Sequence, residues 1–195
     1  MAALILAGGR GRRMGREKAT TPLGDRTLLE HTAERARAVF AEVLVSGPLS
    51  LQRFGYPVVP DPAAGVGPLA GILAGLRAAA APWVFVLPCD SPFVPEAFLR
   101  GMAAAIGDTD DAVVPRVGEF WEPLHALYAR ACAEPVASLI AAGERQIIRL
   151  YDRVRVKVVG PELLSRWDPE GLAFFNINTA ADLECAQARL RPGRI

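Results

Sequence analysis

Cationic residues and glycines cluster near the beginning of the chain in a pattern suited to binding a polyphosphate. The segment 4–18, LILAGGRGRRMGREK, joins an apolar run to Gly8 and Gly9 and then to a cationic stretch. Its cations are Arg10, Arg12, Arg13, Arg16 and Lys18. Glycines let backbone N–H groups approach phosphate oxygens closely, and the cations neutralise those oxygens. Since the formal net charge of the chain is only +1, this positive charge is local and favours a small anionic ligand over nucleic acid.

Asp90 is a second candidate for chemistry, because it follows the most continuously apolar segment of the chain, 83–87. Strands that are apolar on both faces are typical of the centre of a parallel sheet, and ligands bind beyond their carboxyl ends. A carboxylate there suits Mg²⁺, which usually takes one or two protein carboxylates together with phosphate oxygens. An alternative is that Asp90 caps a helix, because Ser91 and Pro92 follow it.

Several familiar sites are excluded by spacing. A Walker A loop needs GxxxxGK[ST], which is absent, and the glycines at 8, 9, 11 and 15 do not match GxGxxG. Cys89, Cys132 and Cys185 form no CxxC pair and indicate neither a disulfide framework nor a zinc site. His31 and His125 are assigned no catalytic role, since neither has a serine or cysteine partner at a strand-to-helix turn.

Apolar runs alternate with amphipathic segments along the whole chain. The predicted strands are 3–7, 43–45, 58–59, 83–87, 112–114, 124–128, 154–159 and 174–178. A capping box at Thr27 and Glu30 predicts one helix, and further helices are predicted at 68–79, 95–106 and 135–142 and after Thr179. Such alternation predicts βαβ units in an α/β fold, with a mostly parallel twisted sheet covered on both sides.

The size and composition of the chain are those of one globular domain over residues 1–195. Hydrophobic residues make up 51% and charged residues 22% of the sequence, which is ordinary for a protein with a sizeable core. No window reaches the roughly 20 apolar residues that a membrane span needs. We therefore expect a cytoplasmic protein that binds neither membranes nor nucleic acid.

Four motifs resemble those of one family, the molybdenum cofactor guanylyltransferases (MobA family). They are LAGG at 6–9 with the basic segment 13–18, GPLAG at 67–71, PCD at 88–90 and FNINT at 175–179. These motifs span nearly the whole chain, in the order found in the family. LAGG alone is shared with sugar-phosphate guanylyltransferases.

The resemblance implies a three-layer αβα sandwich of the nucleotide-diphospho-sugar transferase type, with a Rossmann-like nucleotide-binding half. Residues from about 1–110 would bind GTP and residues from about 111–195 the acceptor. It implies Mg²⁺-dependent transfer of GMP from GTP to the terminal phosphate of molybdopterin, with transient contacts to other cofactor-biosynthesis proteins and acceptor apoenzymes. The alternatives are a molybdopterin cytidylyltransferase, a sugar-phosphate guanylyltransferase, or a non-catalytic nucleotide-binding regulator of the same fold.

The resemblance also implies roles for residues on the nucleotide side. Lys18, Arg13 and Asp90 would be catalytic, the two cations on the phosphates and Asp90 as the metal ligand. The nucleotide-binding residues would be Leu6, Ala7, Gly8, Gly9, Lys18, Asp61 and Asp90. Asp61 could equally form a turn, and Arg10, Arg12 and Arg16 could be solvated loop charges.

Three further positions concern the choice of base or differ from the family pattern. The resemblance implies that Gly8 leaves room beside the base and favours GTP over CTP, since related cytidylyl- and uridylyltransferases tend to carry alanine there. Alternatively, a glycine is required at this position only for its backbone conformation. Ser46 stands where family members can carry asparagine, and Glu17 replaces the commoner aspartate.

On the acceptor side, Asn176 and Asn178 are predicted to lie on a strand and to point to the same face. The resemblance implies that one or both reach the metal shell or the acceptor phosphate, although they could instead cap the helix at Thr179. Arg145, in the segment GERQ at 143–146, would lie near the pterin, unless it only begins an exposed helix.

Overall fold

The computed structural model describes residues 1–8, 18–60 and 66–190. Its strands are β1 (Ala2–Leu6), β2 (Pro22–Leu23), β3 (Arg26–Thr27), β4 (Glu42–Ser46), β5 (Val58–Val59), β6 (Trp83–Pro88), β7 (Ala112–Val117), β8 (Phe120–Trp121), β9 (Leu127–Ala129) and β10 (Val156–Val159). Its α-helices are α1 (Leu28–Arg37), α2 (Pro68–Ala78), α3 (Glu96–Ala104), α4 (Ala133–Ala141), α5 (Pro161–Trp167) and α6 (Ala180–Leu190). Short 3₁₀ helices lie at Lys18–Thr20, Leu49–Phe54, Arg130–Cys132, Ile147–Asp152 and Leu172–Phe174.

In the described part of the chain, one mixed sheet of eight strands forms the centre of the fold. The strand order is β10-β7-β9-β6-β1-β4-β5, and β8 pairs with β7. The pairs β1–β4, β1–β6, β4–β5 and β7–β10 are parallel, whereas β9 runs antiparallel to both β6 and β7. The expected mostly parallel sheet is therefore confirmed.

Helices cover both faces of this sheet and give the expected three layers. Alternate residues of β1 point to opposite faces, so that Ala3 and Ile5 join one core and Ala2 and Leu4 the other. The first core includes α1, α3 and α5, and the second includes α2 and α4. Each core contains many fully buried side chains, which stabilise the sheet that positions the site.

A third, smaller cluster attaches the C-terminal helix to the beginning of the chain. Leu23 of β2 and Leu28 of α1 are buried with Ile177 and with Ala186 of α6. At the beginning of α6, Asp182 accepts hydrogen bonds from the backbone of Asn178 and Thr179 at 2.9 and 2.8 Å. The cluster therefore fixes the segment that contains both asparagines against the remainder of the domain.

Most predicted elements are confirmed, including the two helix beginnings that have strong local signals. At the capping box, Thr27 Oγ1 accepts from Glu30 N at 3.3 Å, and Thr27 N donates to Glu30 Oε2 at 2.8 Å. The helix predicted from Pro68 begins at that residue. Helix α5 was not predicted, although Pro161 stands at its first turn.

Two predicted strands differ from the structure. The strand predicted at 124–128 begins only at Leu127, because His125 N donates to Glu122 O in a turn. The strand predicted at 174–178 is wrong. Its first residue belongs to the 3₁₀ helix Leu172–Phe174, and the segment that follows has no regular structure.

Helices long and apolar enough to cross a bilayer are absent from the described ranges 1–8, 18–60 and 66–190. None of the three cysteines, all within the described residues, forms a disulfide, and Cys89 and Cys132 are buried.

Candidate active site

The candidate site lies where the central strands end. Leu6, the last residue of β1, pairs with Ser46 of β4 on one side and with Pro88 of β6 on the other. Backbone hydrogen bonds continue just beyond the strands, from Ala7 N to Ser46 O at 2.8 Å and from Cys89 N to Leu6 O at 3.1 Å. The carboxyl ends of the three strands are thus level, as expected of the ligand-binding edge of such a sheet.

Three side chains from distant parts of the sequence meet at this edge. Lys18, at the beginning of the first 3₁₀ helix, forms an ion pair with the Asp90 carboxylate. Its Nζ also donates to Asn178 Oδ1 at 2.8 Å. The exposed fractions of the Lys18 and Asp90 side chains are 21% and 9%, so the pair is largely shielded but still reachable by solvent. We call Lys18, Asp90 and Asn178 the edge cluster.

The backbone on each side of Asp90 is fixed by two other elements. Thr32 Oγ1 of α1 donates to Cys89 O at 3.1 Å, and Ile177 N donates to Asp90 O at 3.0 Å. The capping role considered for Asp90 is wrong, because α3 begins at Glu96 with Pro95 as its N-cap residue. The carboxylate therefore lies at the strand end without serving a helix.

The GPLAG motif brings α2 close to the ends of β1 and β4. Gly67 has φ +81°, a conformation that strongly favours glycine, and Pro68 follows at the first helical position. A Cβ added at Gly71 would lie 2.7 Å from Ser46 Oγ and 2.9 Å from Leu6 Cδ2. Each glycine of the motif thus has a structural reason, and Ser46 lies buried beneath α2.

A buried hydrogen-bonded chain lies next to the edge cluster. His125 Nε2 is 3.0 Å from Ser91 Oγ, and Ser91 Oγ donates to Asn176 Oδ1 at 2.6 Å. Ser91 and His125 are 0% and 1% exposed. Phe174 packs its ring against the imidazole edge to face, with centroids 5.2 Å apart. We call Ser91, His125 and Asn176 the buried chain.

Burial determines the charge states near the buried chain. It lowers the pKa of His125 to about 3, so that the imidazole is neutral at physiological pH. Burial also raises the pKa of Glu122, whose Oε2 lies 3.9 Å from His125 Nδ1. On the exposed side, hydrogen bonds from Asn178 and Thr179, with the Lys18 charge as a smaller cause, lower the pKa of Asp182.

The structure brings together part of the predicted site. Leu6, Ala7, Gly8, Lys18 and Asp90 lie at the edge or just beyond it, as expected. The predicted site residues that lie outside the described ranges are Gly9, Arg10, Arg12, Arg13, Arg16, Glu17 and Asp61. Their roles stay predictions.

The acceptor-side predictions require one correction. Asn176 and Asn178 do not share the face of a strand. Asn176 Oδ1 accepts from Ser91, whereas Asn178 Oδ1 accepts from Lys18. The suggested capping role belongs to Thr179 and Asp182, whose side chains bond to backbone N–H groups at the beginning of α6. Arg145 lies exposed in the irregular segment between α4 and the 3₁₀ helix Ile147–Asp152.

The hydrogen bond between Ser91 and His125 was not predicted from the sequence, and neither residue was assigned a role. Ser91 had one available signal, its position directly after Asp90. His125 had none, because an isolated histidine in an apolar run looks like an ordinary core residue. Their association depends on contacts between residues 34 and 85 positions apart.

The donor set at the edge is compatible with a hard divalent cation shared with a ligand. Asp90 supplies a carboxylate and Asn178 an amide oxygen, and both already contact one cationic group, Lys18 Nζ. Clusters of three or more His, Cys, Asp or Glu side chains that could hold a metal alone are absent from the described ranges. A cation bound here would therefore need further oxygen ligands from phosphate or water.

Comparisons with known proteins agree with this geometry. Residues 3–156 match the model of the MobA-like NTP transferase domain. A molybdenum cofactor guanylyltransferase of Desulfosudis oleivorans is 34% identical over 98% of this chain and 96% of its own. A protein of Pelotomaculum thermopropionicum named as a probable molybdenum cofactor guanylyltransferase is 39% identical, with the same coverage.

Solved structures support the same relationship. The molybdopterin-guanine dinucleotide biosynthesis protein A of Archaeoglobus fulgidus superposes with a TM-score of 0.83 and 31% identity, covering 97% of this chain and 98% of its own. The 2-C-methyl-D-erythritol 4-phosphate cytidylyltransferase of Thermus thermophilus shares the fold, with a TM-score of 0.69 over 95% of this chain, 96% of its own and 24% identity. From the edge cluster, the three-layer fold and these matches together, the chain belongs to the MobA-like NTP transferase family.

Proposed function

We propose that this chain transfers GMP from GTP to the terminal phosphate of molybdopterin and releases pyrophosphate. The observation that carries the proposal is the edge cluster, a shielded Lys18–Asp90 pair at the ends of the central strands, in a chain whose full-length relatives are named guanylyltransferases. The product would be the guanine dinucleotide form of the molybdenum cofactor.

The chemistry requires positioning and charge neutralisation rather than a covalent protein nucleophile. An oxygen of the acceptor phosphate attacks the α-phosphorus of GTP and forms a new P–O bond. The bond from the α-phosphorus to the oxygen bridging to the β-phosphorus breaks, and pyrophosphate leaves with that electron pair. Lys18 would move from Asp90 to the phosphates and stabilise the charge that develops there, with Arg13 as a second cation.

Asp90, with Asn178 beside it, would hold Mg²⁺. Bound there, Mg²⁺ would neutralise phosphate oxygens and make the α-phosphorus more electrophilic. The Asp90 carboxylate is suited to holding the metal because hydrogen bonds to the neighbouring backbone fix its position. Its present partner is Lys18, which the phosphates of the nucleotide can attract away. On the nucleotide side, Leu6, Ala7, Gly8, Gly9 and Asp61 would contact GTP.

On the acceptor side, Asn176, Asn178 and Arg145 would contact the pterin phosphate or ring. We place the reaction in the cytoplasm, with transient transfer of the cofactor between this chain, other biosynthesis proteins and acceptor apoenzymes. A dinucleotide cofactor that is labile when free would require such protein-to-protein delivery.

The test is a panel of donors and acceptors. Purified protein is incubated with Mg²⁺ and each of GTP, CTP, ATP and UTP, together with molybdopterin or mannose 1-phosphate, and pyrophosphate release is measured. We expect release only with GTP and molybdopterin. Release with CTP, or with mannose 1-phosphate, would assign the chain to a related transferase. GTP binding without release, unaltered in Asp90→Ala, would indicate a regulator.

A further inference from the structure

The buried chain has a defined hydrogen-bond direction. The single proton of the Ser91 hydroxyl is donated to Asn176 Oδ1. In the second bond of Ser91, the hydroxyl oxygen must therefore be the acceptor and His125 Nε2 the donor. The neutral imidazole therefore carries its proton on Nε2 and leaves Nδ1 unprotonated. In the described part of the chain, that buried Nδ1 has no hydrogen-bond donor.

This direction fixes the amide of Asn176. Its oxygen is bound to Ser91, so its two N–H donors must point the other way, and no described residue accepts a hydrogen bond from them. The Asn176 side chain is also only partly buried. Amide N–H groups with a fixed orientation are suitable donors to a phosphate oxygen.

Asn176 is coupled directly to the edge cluster. Asn178 Nδ2 donates to the backbone carbonyl of Asn176 at 3.4 Å, and Asn178 Oδ1 accepts from Lys18. Ile177, between the two asparagines, donates to the backbone of Asp90. A change at His125 or Ser91 would therefore alter the placement of a segment that reaches the reacting groups.

We propose that His125 and Ser91 are positioning residues that orient the Asn176 amide so that its N–H donors bind the phosphate of the acceptor. Neither residue touches the substrate, since both are buried. The inference rests on the proposed transferase function and assigns within it a specific determinant of acceptor binding. In the described residues, no hydrogen bond joins the buried chain to the ends of β1 and β4, where the nucleotide is proposed to bind.

The test uses paired variants that keep or remove each hydrogen bond. Ser91→Ala and His125→Leu each remove hydrogen bonding from the buried chain. Ser91→Thr keeps the hydroxyl, and His125→Gln keeps an N–H donor near the Nε2 position. Ser138→Ala is the matched control, because that serine is exposed on α4 and bonds to Glu134 O of its own helix. The KM for molybdopterin, the KM for GTP and kcat are measured for each variant that retains a cooperative thermal transition.

We expect Ser91→Ala and His125→Leu to raise the KM for molybdopterin about tenfold, which corresponds to about 1.4 kcal/mol. The KM for GTP should change less than about twofold. Ser91→Thr and His125→Gln should stay within about threefold of the wild type. Equal losses in His125→Gln and His125→Leu, equal rises in both KM values, or no effect would overturn the proposal.

A readout independent of turnover separates this inference from the proposed function. Long-range ¹H–¹⁵N NMR of the wild-type protein reports which imidazole nitrogen carries the proton, and we expect Nε2 in His125. An Nδ1-protonated His125 would reverse the hydrogen-bond direction and overturn the positioning role. A wild-type protein with the expected tautomer but no transfer to molybdopterin would overturn the proposed function instead.

Discussion

The edge that we propose as the catalytic site has a proposed nucleotide side and a proposed acceptor side, which are built in different ways. On the nucleotide side, the ends of β1 and β4 and the beginning of α2 present backbone groups and small residues such as Gly8 and Gly71. On the acceptor side, Asn178 and the buried chain depend on side-chain hydrogen bonds between distant segments. The nucleotide side therefore depends on small residues that leave space for a ligand, whereas the acceptor side depends on hydrogen bonds between side chains.

This contrast separates what the shared fold supplies from what individual side chains supply. A nucleotide side made of strand ends and glycines follows directly from the sheet, which the T. thermophilus cytidylyltransferase shares. A network of side chains can change with a few substitutions while the sheet remains the same. We therefore expect substitutions on the two sides to affect different kinetic constants.

The largest effect is expected at the residue where the two sides meet. Asp90→Asn keeps the shape of the side chain but removes the charge, and should lower kcat/KM for transfer about 100-fold or more. Asp152→Asn, on an exposed residue, is the matched control. Steady-state kinetics with GTP and molybdopterin would measure both. Retention of more than about a tenth of the activity in Asp90→Asn would contradict the proposed role.

The acceptor side should show a characteristic dependence of stability on pH. Because the pKa of His125 is lowered to about 3 in the folded protein, its unfolded form binds a proton that the folded form does not between about pH 6.5 and 3. The stability contribution is complete above pH 6.5 and is lost as the pH falls. From pH 6.5 to 4.5 the loss should be about 2–3 kcal/mol.

Urea unfolding of the wild type and His125→Leu at both pH values would measure this loss. The variant should lose less stability than the wild type over the same interval, because it lacks the titrating group. Glu122, whose carboxylate lies near the imidazole in the wild type, is present in both proteins, so its own titration largely cancels in the comparison. Parallel losses in the two proteins would show that His125 is not buried as a neutral group.

The packing of α2 on β1, which supports the nucleotide side, should be sensitive to added atoms. A Cβ at Gly75 of α2 would lie 2.2–2.8 Å from side-chain atoms of Leu4, which is fully buried and cannot move aside. Gly75→Ala should therefore destabilise the fold by about 1–3 kcal/mol. Gly160→Ala is the control, because a Cβ there meets nothing within 4 Å. Chemical denaturation gives both values, and equal stabilities would disprove the close approach of α2 to β1.

The smallest effect is expected on the choice of base. Gly8→Ala adds a methyl group on the nucleotide side and should lower kcat/KM for GTP about tenfold relative to CTP. Competition between GTP and CTP in the transfer assay measures the ratio. An unchanged ratio would indicate that glycine is required at position 8 only for its backbone conformation and does not select the base.

Local signals allowed much of the fold to be predicted. The capping box at Thr27 and the Gly67-Pro68 pair specify helix beginnings through neighbouring residues, and both helices begin where expected. The strand at 174–178 was predicted wrongly because Asn176 and Ile177 are hydrogen-bonded to Ser91 and Asp90, which are far away in the sequence. A local pattern contains no information about such partners.

The same distinction applies to the site. Asp90 could be predicted from its place after an apolar strand, and Lys18 from the basic segment. The pairing of Asn178 with Lys18 and of His125 with Ser91 arises only when the sheet brings segments together. Sequence reasoning therefore predicted the residues of the nucleotide side more completely than the connections of the acceptor side.

The most direct measurement follows the α-phosphate itself. Wild-type protein is incubated with Mg²⁺, molybdopterin and GTP labelled at the α-phosphate, and the products are separated and identified by mass. We predict that the label appears in a pterin–guanine dinucleotide with one pyrophosphate per transfer, and that Asp90→Asn forms almost none. Label that remains in GTP, or appears only in free GMP, would contradict guanylyl transfer at this edge.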